Sequence, residues 1–211
     1  LSQMKTSPLT LLVCLALCVN STDFKVTAQT TPKNQFEKTV SNDKAQIEKL
    51  IKSVNSWGGS ANGSYGITYY TIDKKTGNCT GIDRKKHQLE LVKFKKSGYF
   101  SAAFVENYNQ IGVKQDQLIK TKKIPAWKPS EEVNPFRNSS PWCNCQDGGD
   151  MKKIKIKIIA LEQNKGHLSW TWSEPDYSKG FEYHFKVVKE NGKWKIAYLE
   201  GFDFKSNTRI E

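Results

Sequence analysis

Apolar and polar positions alternate in four successive stretches of the C-terminal third of the chain. Ile154, Ile156, Ile158 and Ala160 are separated by Lys155 and Lys157 and then Ile159; Leu168, Trp170 and Trp172 are separated by Ser169 and Thr171. Phe181, Tyr183, Phe185 and Val187 alternate with Glu182, His184 and Lys186, and Trp194, Ile196 and Tyr198 with Lys195 and Ala197. A period of two sends each apolar set to one side of a strand, so the pattern predicts an antiparallel meander with one apolar and one polar face. Gln163, Asn164, Lys165 and Gly166, and again Glu190, Asn191, Gly192 and Lys193, carry hairpin-turn chemistry, while EPDYSKG makes the longer middle connection.

Ahead of residue 121 the period is helical instead. Ile47, Leu50, Ile51, Val54 and Trp57 recur at spacings of three and four, a stripe that Asn42 or Asp43 can cap and Gly58 and Gly59 can end. YGITYYTI suits a short extended piece before the polar loop DKKTGNCTGIDRKK. QLELVKFKK then reads as a short helix broken at Ser97 and Gly98, and Phe100, Phe104, Tyr108 and Ile111 continue at helical spacing, as a second helix or the far side of a kink. Residues 121–150 hold Pro125, Pro129, Pro135 and Pro141 and read as a long irregular loop, of a length usually functional or mobile. Helices followed by a one-sided sheet predict an α+β fold in which the helices cover the sheet's apolar face.

The start of the chain falls outside this pattern. MKTSPLT, the apolar LLVCLALCV and the small residues up to Ala28 have the three parts of a secretory signal peptide. The expected organisation is therefore a signal peptide over 1–28, a flexible Thr-rich lead-in over 29–41, one domain over 42–204 and a tail over 205–211, in a secreted or periplasmic protein. The apolar run is too short to span a membrane. With 33 Lys and Arg against 21 Asp and Glu the formal charge is +12, which favours acidic surfaces in general. The lysines of KKIKIKII fall opposite the apolar positions, as on a solvated sheet face. Lysines and aromatics on opposite faces do not make a base-stacking platform, which argues against a nucleic-acid partner.

Export makes disulfides persistent, and removal of the leader leaves Cys79, Cys143 and Cys145, enough for one bridge and one free thiol. A bridge from Cys79 to Cys143 or Cys145 would tie two polar loops together. The CxC pair lacks a nearby histidine, so no metal site is expected, and no motif implies a cofactor. Asn62, Asn78 and Asn138 begin glycosylation sequons.

Helices first, then long strands ending in KVVKENGKWKIAYLEGF, resemble the nuclear transport factor 2-like superfamily, and among it the exported bacterial members of unknown function. The resemblance covers roughly residues 42–204 and is most specific in the last fifty. It implies a curved sheet wrapped around the helices as a cone with a pocket at its open end, and pairing through a sheet face makes a homodimer an expectation. In such a cone Trp170, Trp172, Tyr183, Phe185, Trp194 and Tyr198 are candidates for contacting a flat or apolar ligand, although packing alone also accounts for them. The same parity puts Glu174 after Trp172 and Glu200 after Tyr198 on the pocket side, where a desolvated carboxylate could act as a base. Pro175 and Gly201 follow them directly, which favours strand ends in water. The resulting expectation is a non-catalytic domain binding a small apolar molecule or a protein partner at the cone mouth and the 121–150 loop, with a lyase or isomerase using Glu200 or Glu174 as the alternative.

Overall fold

A computed structural model describes residues 32–129, 134–137, 139–146, 150, 153–174 and 179–209, with side chains from residue 40 onward. The signal-peptide expectation and the sequon at Asn138 lie outside the described residues. The elements are α1 (Pro32–Gly58), β1 (Tyr70–Ile72), β2 (Cys79–Ile82), α2 (Arg84–Ser97), α3 (Ala102–Lys120), β3 (Ile154–Leu161), β4 (Lys165–Trp172), β5 (Tyr183–Glu190), β6 (Lys193–Leu199), a 3-10 turn (Glu200–Phe202) and α4 (Phe204–Thr208). β1 and β2 form a small antiparallel hairpin, and β3 to β6 a four-stranded antiparallel meander in sequence order. The fold is α+β.

The helices stop and start where side chains satisfy their free backbone groups. Asp83 accepts from Lys86 N–H, Ser101 from Phe104 N–H and Asp203 from Ser206 N–H, each filling the cap of the helix that follows. Gly98 ends α2 in the left-handed conformation (φ 73°), which separates α2 and α3 into two helices. Asn191 and Gly192 (φ 51° and 73°) turn β5 into β6.

One core lies between the apolar face of the meander and the first three helices. Ile47, Ile51 and Val54 of α1, Leu91 and Phe94 of α2, and Phe104, Tyr108 and Ile111 of α3 meet Leu168, Trp170, Trp172, Tyr183, Phe185, Trp194 and Ile196. Each fully buried large apolar side chain contributes about 1.5–3 kcal/mol, so this interface is the main stabilising term. Asp43, itself buried, accepts from Trp194 Nε1 at 2.9 Å and from Lys189 Nζ at 2.9 Å, which anchors α1 to the last hairpin. The linker between α2 and α3 runs beside β6, exchanging Ser101 N–H to Ile196 O and Ile196 N–H to Tyr99 O, and so covers that sheet edge. A second, smaller core of Cys79, Ile82, Leu118, Ile119, Ile124, Trp127 and Phe136 lies under the β1–β2 hairpin.

Several expectations need correction. α1 begins at Pro32 rather than near Asn42, so most of the expected lead-in is helical; proline suits a first helical turn, where its missing N–H would have had no partner. The polar stretch after Ile72 contains β2, and the expected tail contains most of α4. Two β-bulges shift the alternation. Lys186 faces Tyr198 while Val187 faces Ile196, so Ala197 is the extra residue. Beyond it Leu199 is buried and Tyr198 is turned to the opposite face, with Lys186 Nζ 5.5 Å from its ring centre. In β3 the register shifts between Ile158 and Ala160, leaving Ala160 exposed and Leu161 packed on the core. Finally, the disulfide joins Cys143 to Cys145, with Cα atoms 5.1 Å apart, and Cys79 is a free thiol. β2 turns Cys79 into the smaller core, away from the CxC turn.

Candidate functional site

The described part of the second half of the 121–150 loop, residues 134–137 and 139–146, is tied down on several sides. Trp142 Nε1 donates to Ser64 O at 2.8 Å, and its ring packs edge-on against Phe202 with centres 4.9 Å apart. Tyr183 Oη donates to Pro141 O at 2.8 Å and accepts from Gly201 N–H at 3.0 Å, joining this loop to the 3-10 turn. Asn134 Nδ2 donates to Tyr70 Oη at 3.1 Å, and Tyr70 Oη donates to Ile67 O at 3.1 Å. The disulfide and the Ser140 N–H to Cys145 O bond close the turn itself.

These ties leave a small cleft of about 80 Å³. One wall is Ile67, Thr68 and Tyr70, a second is Tyr108, Ile111 and Gln115 of α3, and a third is Asn134, Phe136, Arg137, Ser139 and Pro141. Phe202 and Asn207 close the end. Apolar walls with a few converging polar groups are the usual composition of a small-molecule site.

Two of the polar groups are incompletely satisfied. Gln115 is 3 % exposed; its Nε2 donates to Asn207 O at 2.8 Å, but its Oε1 is buried with no partner among the described residues. An unpaired buried acceptor costs about 1–3 kcal/mol. Half-buried Arg137 donates from Nε to Ser139 O at 2.9 Å and from its other two nitrogens to Gly201 O and Asn144 Oδ1. All three acceptors are neutral. Burial weakens the guanidinium's hold on its proton, opposed by the fields of Tyr183 and Glu200. Burial likewise pushes Tyr70 up to about 12, against the lowering effect of its Asn134 hydrogen bond.

Behind the cleft floor runs a chain of hydrogen bonds. Tyr108 Oη and Tyr69 Oη are 3.1 Å apart, Tyr69 Oη is 2.8 Å from His87 Nδ1, and His87 Nε2 is 3.3 Å from Asn109 Oδ1. Asn109 has only an acceptor oxygen to offer at this contact, so Nε2 carries the proton and Nδ1 accepts from Tyr69. Burial lowers the pKa of His87, with the Asn109 bonds acting in the opposite sense. Gly112 leaves space for the ring: a β-carbon there would lie 2.4 Å from the imidazole. Tyr108 is fully buried, which makes the chain a support of the floor.

The residues singled out from the sequence fall elsewhere. Trp170, Trp172, Tyr183, Phe185 and Trp194 are buried in the main core, with Trp170 and Trp172 edge-to-face at 5.0 Å. None of them lines the cleft; Tyr183 reaches its wall only through the hydroxyl that holds Pro141 and Gly201. Tyr198 lies on the outer face. Glu200 Oε2 accepts from His184 N–H at 2.8 Å, and Glu174 lies 3.3 Å from Lys153 Nζ. The residues missed were Gln115, Asn134 and Arg137. For Gln115 a signal existed, because it extends the apolar stripe of Tyr108 and Ile111 by one helical step; for the other two only the length of the loop pointed to them.

Among the described residues no helix is long and apolar enough to cross a membrane, and no three His, Cys, Asp or Glu side chains gather as a metal would require. Comparison with protein-family models, curated proteins and solved structures finds no match, so the functional reading rests on the geometry of the cleft.

Proposed function

We propose that this chain is an exported, non-catalytic binding domain of nuclear transport factor 2-like type that holds a small, largely apolar molecule in the cleft walled by Asn134, Phe136, Arg137, Ser139 and Pro141. The observation that carries the reading is the cleft itself, where the apolar side chains of Ile67, Ile111, Phe136 and Phe202 surround a few polar groups. The way the loop is held supports the same reading, since fixing a site before binding reduces the ordering cost of association. A lyase or isomerase has less support, because Glu200 is engaged by the sheet end and Glu174 by Lys153.

The test is native mass spectrometry of the protein from its producing cells, together with Thr68→Trp, which places a large ring at the exposed cleft mouth. A co-purified small molecule that is present in the unaltered protein and lost in the Thr68→Trp variant, with thermal stability unchanged, is the expected result. A molecule retained equally by both would place binding elsewhere.

A further inference from the structure

α2 buries His87, Leu91 and Phe94 on one side. At 3.6 residues per turn, the line opposite them runs through Lys85, Leu89, Val92 and Lys96. A surface helix ordinarily keeps that outward line polar. Here its middle is aliphatic, with Leu89 56 % and Val92 44 % exposed. Val113 of α3, 53 % exposed, borders a shallow depression on the flank of α2 together with Arg84 and Gln88. The charge around the pair is of one sign. Arg84, Lys85, Lys86, Lys93, Lys95 and Lys96 are basic, against Glu90 alone in a helix of 14 residues. Glu90 is engaged by Lys93 at 2.7 Å and Arg84 by Asp116 at 2.6 Å. Lys85, Lys86, Lys95 and Lys96 are exposed and form no ion pair among the described residues.

We infer that the outward face of α2 docks the protein on an anionic phospholipid surface, its lysines at the phosphates and Leu89 and Val92 entering the boundary between headgroups and acyl chains. Charge complementarity selects this occupant. A second copy of the chain would set lysine against lysine. A hydrated polyanion would answer the lysines but leave the aliphatic pair in water. A lipid interface supplies both layers, and the long lysine stems lie along its apolar side while their ammonium groups stay at the phosphates. The net charge of +12 draws the molecule toward such a surface from a distance. No residue of α2 lines the cleft, so this inference and the proposed function stand or fall separately.

The test mixes the full chain with phosphatidylcholine vesicles, with and without phosphatidylglycerol, and reads the bound fraction by co-sedimentation. Binding is expected on the vesicles that contain phosphatidylglycerol and should weaken as sodium chloride is raised. Leu89→Gln with Val92→Gln removes the apolar pair and keeps the charge; Lys85→Gln with Lys96→Gln does the reverse. Each double variant should bind about tenfold more weakly, with an unchanged melting temperature because all four positions are exposed. Insertion is read separately through a polarity-sensitive dye on Leu89→Cys; Cys79 is buried and Cys143 and Cys145 are bonded to each other, so none of them takes the dye. The dye should shift to the blue on phosphatidylglycerol vesicles, and the same dye on Lys165→Cys, at the exposed start of β4, should not. Failure of the unaltered protein to bind these vesicles, equal binding by the Leu89→Gln/Val92→Gln variant, or an unshifted dye at position 89 would each overturn the inference. Heparin bound equally by that variant and the unaltered protein, with no vesicle binding, would make the face a site for a hydrated polyanion instead.

Discussion

Asp43 and His87 show how much a single polar side chain inside this core decides. Asp43 is the shared acceptor for Trp194 and Lys189, so Asp43→Ala would leave a buried indole N–H without a partner and free α1 from the last hairpin. The expected loss is about 2–3 kcal/mol, read as a lower midpoint of urea unfolding; an unchanged midpoint would show that the contact is idle. His87 gives a pH signature. Its folded pKa is below the ordinary 6.5 because burial favours the neutral ring, so the unfolded chain takes up the proton first as pH falls. The stabilisation is complete above about pH 6.5 and declines as pH falls from there toward the folded pKa. His87→Gln should remove that part of the slope between pH 7.5 and 5.5 while other titrations remain. Asp116 acts in a separate, more acidic window. Burial alone would raise its pKa, but hydrogen bonds from Lys120, Ile82 N–H and Arg84 outweigh it and hold the carboxyl below 3.8. Its contribution is present above that value and lost as pH falls through the lower folded pKa.

At the scale of elements, the meander was legible and its bulges were not. The period of two placed β3 to β6 because an amphipathic strand has to show alternate residues to the core, a constraint written in each segment separately. A bulge depends on which residue of the neighbouring strand it faces. Ala197 and Ile159 carry no local mark of being the extra residue, and each reverses the parity of everything after it, so the period of two puts Tyr198 on the apolar face and passes over Leu199. The two readings differ measurably. With Leu199 1 % exposed, Leu199→Ala should cost about 2–5 kcal/mol, and Tyr198→Ala less than about 1 kcal/mol. The reverse order in chemical denaturation would mean that the strand has no bulge. The 3-10 turn after β6 is equally constrained, since a β-carbon on Gly201 would lie 1.8 Å from Pro141 O. Gly201→Ala should therefore displace Pro141 and lower the melting temperature.

For the whole molecule, the cysteine arrangement and the cleft are the large-scale outcomes. A bridge between Cys79 and the CxC pair would have closed a long loop, whereas Cys143–Cys145 closes a very short one. In the chain-entropy picture such a link contributes under about 2 kcal/mol, so mild reduction should leave the fold intact and act on the turn beside Arg137. Cys79, 8 % exposed and with its thiol pushed up to about 11 by burial, should resist alkylation until the chain unfolds. Peptide mapping without reductant that links Cys79 to either partner would overturn this arrangement.

By itself the sequence determined the class of fold, the four strands of the meander and the helical stripes ahead of residue 121, because periodicity, caps and turn residues act within a few positions of the chain; whether α2 and α3 were two helices or one kinked helix it left open. Only the tertiary structure decided which polar groups meet at the cleft. Gln115 and Asn207, 92 positions apart, share a hydrogen bond at the cleft, and Arg137 reaches Gly201 across 64. No local pattern encodes such meetings; they arise when the sheet's apolar face closes on the helices and the leftover polar groups are brought to the cleft at its margin.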